Sequence, residues 1–208
     1  MRRILLFLSL IILLSNYSIF SQFDIIQKFP LQDSTATHGS SAIIPLTDNK
    51  QLFFWTENNK LFLANVEGSN YYNKRVVIEN VLSEYYYKNL TVLKTNTNRI
   101  IIVFTYNSDT LSNIKSIYSD DEGLSWSKPK IISTNTERLN YMNPCLSQTH
   151  DGIIWLIFNK SRSLYSANSN DNGTNWNIGS LIENNYSAGS IISDNSNKYY
   201  LFYTKAIY

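Results

Sequence analysis

Residues Ser119–Trp126 read SDDEGLSW, and residues Ser169–Trp176 read SNDNGTNW. Both fit Ser-x-Asp-x-Gly-x-x-Trp, fifty positions apart. Each residue type in the pattern is suited to a tight turn. Asp121 and Asp171 have carboxylates short enough to fold back onto backbone N–H groups. Gly123 and Gly173 supply a position with φ > 0. Ser119 and Ser169 add hydroxyl hydrogen bonds. Trp126 and Trp176 bring a large apolar face to the start of the following strand. A worn copy, ANVEGSNY (Ala64–Tyr71), keeps the glycine and aromatic places in Gly68 and Tyr71, with Val66 where Asp would stand. The octapeptide reads as a hairpin turn and not as a reaction centre.

The sequence around it repeats at a longer period. Four runs rich in β-branched and aromatic residues recur every 45 to 53 positions: QLFFWTEN from Gln51, RIIIVFTYN from Arg99, GIIWLIFNK from Gly152 and KYYLFYTK from Lys198. Their near-continuous apolarity predicts strands covered on both faces. Each follows another strand-like run: SAIIPLT from Ser41, NLTVLKT from Asn89, NPCLSQT from Asn143 and AGSIIS from Ala188. In the first three units a third run follows (KLFLANV, IKSIYSD, SLYSANS) and then a fourth (KRVVIEN, KPKIIST, NIGSLIE). The octapeptide sits between the third and fourth runs each time. Four short strands in meander order at this period predict an all-β chain of β-propeller blades. Three units are complete and a fourth has two strands, so the expectation is part of a six-bladed ring, which takes roughly 300 residues. FDIIQKF from Phe23 is a candidate closing strand, and open blade edges would permit self-association.

SDDEGLSW and SNDNGTNW resemble Asp-boxes, the bacterial neuraminidase repeats. With the four-strand units they make residues 40–205 similar to the sialidase-like β-propeller superfamily. The resemblance implies that the Asp-box lies on the rim, away from any substrate. It also implies where catalysis would reside: an arginine triad holding a sialate carboxylate, a Tyr nucleophile paired with Glu, and an Asp acid/base. The first arginine of such a set belongs to an Arg-Ile-Pro motif on the first strand. Here Ile44 and Pro45 fit, and Ile43 stands in the arginine's place. No catalytic residue is therefore assigned.

Beyond residue 22 the arginines are Arg75, Arg99, Arg138 and Arg162. Arg75 and Arg99 lie in or beside strands and are read as facing solvent or bracing an edge. A propeller builds its ligand face from the blade-to-blade loops and the loops joining second and third strands. These loops hold Glu84, Tyr85, Tyr86, Tyr87, Asp109, Glu137, Arg138, Tyr141, Arg162 and Tyr186. Aromatic faces beside amide and charged groups suit sugar or peptide binding. Glu84, Tyr86, Asp109, Arg138, Tyr141 and Arg162 are the candidate ligand-binding residues. Three readings stay open: a glycan- or protein-binding module, an exo-sialidase-type hydrolase whose remaining residues lie outside this chain, and a structural or surface-adhesion protein with no ligand pocket.

The start of the chain, MRRILLFLSLIILLSNYSIFSQ, places two arginines before an apolar run and small or polar residues after it. That is the layout of a secretory signal, and the run is shorter than the ~20 residues a bilayer span needs. The expected division is residues 1–22 as signal and 23–208 as propeller, in a protein secreted or held at a bacterial surface or periplasm. Without Arg2 and Arg3 the 18 basic residues fall to 16 against 16 acidic ones, so the mature chain is formally neutral. Nothing supplies the basic face that nucleic acid requires. One cysteine, Cys145, excludes an internal disulfide and reads as a buried small residue. His38 and His150 have no metal-ligand spacing, so neither metal nor cofactor is expected. The 26 asparagines read as base-composition bias. Asn89 (NLT) and Asn172 (NGT) form sequons, which are discounted for a bacterial chain.

Overall fold

The computed structural model describes residues 38–46, 50–68, 70–81, 89–107, 112–135 and 141–205. The N-terminal segment with the expected signal and FDIIQKF lies outside the described residues, and so does the line drawn at residue 22. The predicted runs form strands in the predicted order. The first blade contains β1 (His38–Pro45), β2 (Lys50–Glu57), β3 (Lys60–Glu67) and β4 (Asn70–Glu79). The second contains β5 (Leu90–Lys94), β6 (Ile100–Asn107), β7 (Ser112–Ser119) and β8 (Lys130–Asn135). The third contains β9 (Tyr141–Gln148), β10 (Ile154–Lys160), β11 (Ser163–Ser169) and β12 (Asn177–Asn184). Two further strands, β13 (Tyr186–Ser193) and β14 (Tyr199–Lys205), pair as a half-blade. Every sheet is an antiparallel meander in sequence order, and the fold is a β-propeller of four-stranded blades.

The cores lie between blades. Leu52, Phe54, Leu61 and Leu63 of the first blade meet Ile100, Ile102 and Phe104 on one face of β6. The alternate residues Ile101 and Val103 point the other way, to Ile154, Leu156 and Phe158 of the third blade. Ile157 and Leu164 then face Ile191 of the half-blade. The period-2 alternation of a strand divides β6 between two cores, so Ile100–Phe104 are each 0–1 % exposed. This is why β6 reads as an unbroken apolar run.

A meander gives each blade two ends. The turns joining first to second and third to fourth strands lie at one end, the turn end. The second-to-third and blade-to-blade connections lie at the other, the loop end. Residues 95–99, 149–153 and 194–198 close with one pattern: the first N–H donates to the carbonyl four residues on, at 2.8–2.9 Å. The left-handed positions are Asn98 (φ 66°), Gly152 (φ 92°) and Asn197 (φ 61°). Asparagine recurs in this role. Of eleven non-glycine residues with positive φ among those described, nine are Asn. Asn tolerates the left-handed region better than other side-chain-bearing residues. The asparagine abundance therefore has a structural use that a reading as composition bias overlooks.

Candidate functional site

The octapeptides occupy the turn between third and fourth strands, at the turn end. Ser119 Oγ accepts from Gly123 N–H (2.8 Å) and donates to Asp121 Oδ1 (2.7 Å). Asp121 Oδ1 also accepts from Ser125 N–H (2.9 Å), and Oδ2 from the Ser125 hydroxyl (2.5 Å). The second copy repeats this. Gly173 N–H donates to Ser169 Oγ (2.8 Å), and Asn175 donates to both oxygens of Asp171, at 2.7 and 2.6 Å. The Ser125 hydroxyl, then the Ser125 N–H and the Ser119 hydroxyl, hold the Asp121 carboxyl down to about 2. Burial pushes the Asp171 carboxyl up, but the donors on Asn175 and Ser169 outweigh it and leave it below its ordinary value. A carboxylate so occupied is a fixed acceptor and has little basicity left for proton transfer.

The tryptophans bury themselves against the preceding blade. Trp126 meets Phe54 edge-on with centroids 6.1 Å apart. Trp176 packs on the core between second and third blades, and its indole N–H donates to Ser116 Oγ (3.1 Å). Trp176 directly precedes β12, as expected. Trp126 instead precedes β8 by four residues, so it belongs to the connection and not to the strand. The glycines lie at φ 82° and 81°, pressed on the same blade: a Cβ would meet Leu63 Cδ2 at 3.0 Å from Gly123 and Ile101 Cδ1 at 2.4 Å from Gly173. The worn copy keeps φ 56° at Gly68 but has nothing within 4 Å, and Tyr71 is 41 % exposed.

Two arginines serve these turns. Arg75 Nη2 donates to the Gly123 carbonyl (2.9 Å), reaching from the first blade to the octapeptide of the second. Arg99 Nη1 donates to the Asn172 carbonyl (3.2 Å) and Thr174 Oγ1 (2.9 Å), reaching from the second blade to the octapeptide of the third. Its Nε and Nη2 grip Asp120 at 2.6 and 2.8 Å, and the guanidinium lies 3.9 Å from the Tyr118 ring centre. Three shallow grooves of about 260–320 Å³ open here, lined by turn residues such as Tyr118, Lys130, Gln148 and Asn172.

Of the candidate ligand-binding residues, Glu84, Tyr86, Asp109 and Arg138 lie outside the described residues. Tyr141 is fully buried, with its hydroxyl 2.6 Å from Ser133 Oγ, and its ring lies in the core beside Phe158. Arg162 is exposed in the Ser161–Arg162 turn at the loop end. Ile43, in the place of the first triad arginine, is 54 % exposed and paired with Phe53. Among the described residues no group of His, Cys, Asp or Glu is placed to hold a metal. Cys145 is buried and unpaired, and His150 is exposed in its turn. Asn89 is 1 % exposed, which leaves its amide no room for a glycan.

Sequence reasoning missed a set of loop-end residues. Asn89, Thr105, Ser112 and Asn113 are buried yet have polar side-chain atoms without partners. The available signal was a cluster of polar residues at the ends of otherwise apolar runs.

No protein-family model and no curated protein sequence matches the chain. Solved structures do. A protein of unknown function from Dyadobacter fermentans superposes with a TM-score of 0.66 at 12 % identity, over 84 % of this chain and 64 % of that one. The GH93 α-L-arabinofuranosidase of Fusarium graminearum, solved with arabinobiose, gives 0.60 at 10 % identity, over 80 % of this chain and 56 % of that one. A Hadza microbial sialidase gives 0.51 at 13 % identity, over 74 % of this chain and 39 % of that one. This chain thus spans less than two thirds of each of these structures. At such identities the likeness is one of fold.

Proposed function

We propose that this chain is an exported Asp-box β-propeller module that binds glycans and does not hydrolyse them. One observation carries the non-catalytic part. A carboxylate-gripping triad needs three guanidiniums on one ligand face. Of the four arginines beyond residue 22, Arg75 and Arg99 are engaged at the turn end, and Ile43 replaces the first-strand arginine. That leaves Arg138 and Arg162, too few for a triad from this chain. The glycan part rests on the sugar-acting propellers among its structural likenesses and on the aromatic and amide side chains of the loop end. Export rests on the sequence of the first 22 residues.

The test uses the purified chain with a fluorogenic sialoside and, in parallel, a glycan array. The expected result is array binding with no turnover. Turnover that disappears in Arg138→Ala would establish the hydrolase reading instead. A folded β spectrum with no array binding would point to a structural or adhesive role.

A further inference from the structure

The two octapeptides fold alike but differ chemically at the residue before the glycine. Leu124 N–H donates to the Asp121 carbonyl at 3.2 Å, and Thr174 N–H to the Asp171 carbonyl at 3.3 Å. Inside these matching turns Glu122 and Asn172 are left-handed, at φ 56° and 57°. Asn172 and Gly173 are the only Asn-Gly pair in the chain. Such a pair carries its own reactivity, because no Cβ on the glycine crowds its nitrogen. That nitrogen attacks Cγ of the asparagine. The N–Cγ bond forms, the Cγ–Nδ2 bond breaks, and the amide proton leaves with Nδ2 as ammonia. Water then opens the resulting succinimide, giving aspartate or, with the backbone rerouted through Cβ, isoaspartate. Glu122 has no ammonia to lose, so the first copy lacks this route.

The fold restrains each group that this step uses. The nucleophile, Gly173 N–H, donates to Ser169 Oγ at 2.8 Å in a buried bond. The leaving nitrogen, Asn172 Nδ2, donates to Thr97 Oγ1 at 2.8 Å. Asn172 Oδ1, where negative charge develops on attack, is buried without a donor to stabilise it. The Asn172 carbonyl accepts from Arg99 Nη1 at 3.2 Å, and the same nitrogen grips Thr174 Oγ1 at 2.9 Å. Asn172 also borders the groove lined by Asn96, Thr97, Gln148 and Asp151, which gives access to the water that opens the ring. We infer that Asn172 is a site of spontaneous deamidation, latched by Ser169, Thr97 and Arg99 and released when the third-blade octapeptide opens. The consequence is structural. Conversion places a carboxylate next to Asp171 in sequence. Isoaspartate also adds a backbone carbon before Gly173 and displaces the carbonyl that Arg99 holds. Modification therefore cuts a link between the second and third blades. This holds whatever the loop end binds.

Peptide mass mapping of the full chain, incubated in native buffer and in urea, reads the amide-to-acid mass gain at each asparagine. In urea Asn172 should convert before any other asparagine. In native buffer its rate is the unfolded rate multiplied by the fraction of time the turn is open, and should be at least about tenfold slower. Arg99→Ala should raise the native rate about fivefold or more and leave the rate in urea unchanged. Arg75→Ala is the control, since it removes the matching link to Gly123 and touches nothing at Asn172. It should leave the native rate at Asn172 unchanged. Thr97→Val, an exposed change that frees only Nδ2, serves if Arg99→Ala fails to fold, and should raise the native rate about twofold or more. Equal rates in native buffer and urea overturn the latch. So does equal acceleration by Arg75→Ala and Arg99→Ala, which would make global unfolding the controlling step. A faster asparagine elsewhere in urea overturns the assignment to Asn172.

Discussion

Gly173 shows how much a single missing side chain contributes to this fold. Its φ of 81° already disfavours any Cβ, and that Cβ would also come 2.4 Å from Ile101 Cδ1. Gly123 has the same φ but a looser 3.0 Å approach to Leu63, and Gly68 has only the backbone requirement. Substitution by Ala should therefore cost about 1 kcal/mol at Gly68, more at Gly123, and about 2–4 kcal/mol at Gly173. Urea unfolding of the three variants checks the order, and Ile101→Val should return part of the loss at Gly173. Asp121 adds a pH signature. Its folded value of about 2 lies below the ordinary 3.8, so its stabilisation is complete above the ordinary value and fades as pH falls through about 2. Asp121→Asn should lower Tm at neutral pH and flatten the fall of Tm between about pH 4 and 2. Equal slopes for variant and parent would show that other carboxylates govern acid unfolding.

At the scale of the element, the unit of construction is a blade joined to the next blade's octapeptide. Arg75 makes that link once and Arg99 makes it again one blade on. The parts of the Arg99 cluster are unequal. Asp120 is 58 % exposed, so its ion pair is well screened and worth under about 1 kcal/mol. The bonds from Arg99 to Asn172 and Thr174 are partly buried, and hydrogen bonds from a charged donor are worth roughly 1.5–3 kcal/mol. Arg99→Ala should destabilise clearly more than Asp120→Ala in the same denaturation assay, and equal effects would assign the stabilisation to the ion pair. Much of this was legible in the sequence and some was not. Strand runs, blade order and the octapeptide turns follow from local pattern, because apolar periodicity and turn chemistry act over a few residues. The targets of Arg75 and Arg99 lie 48 and 73 residues away, and no local rule names them. The meeting of Asn89 and Thr105 was hidden for a similar reason: they become neighbours only when β5 pairs with β6.

At the scale of the whole molecule, the cores lie between sheets, so stability is shared by neighbouring blades, as in repeat architectures. The shares are uneven among the described residues. Eleven buried apolar residues form the core between first and second blades, ten that between second and third, and four that between the third blade and the β13–β14 pair. Each fully buried aliphatic or aromatic side chain contributes roughly 1.5–3 kcal/mol relative to exposure. The third interface is therefore much the weakest. The half-blade also exposes Ile192, Tyr200 and Phe202 at 46–60 %, so one of its faces gains little from burial. Local opening should start there, with an opening free energy well below the global value. Native-state hydrogen exchange should show β13–β14 amides exchanging by subglobal opening while β6 amides wait for global unfolding. Protection of β14 equal to that of β6 would mean that the half-blade is stabilised by something beyond the core formed by Cys145, Ile157, Leu164 and Ile191.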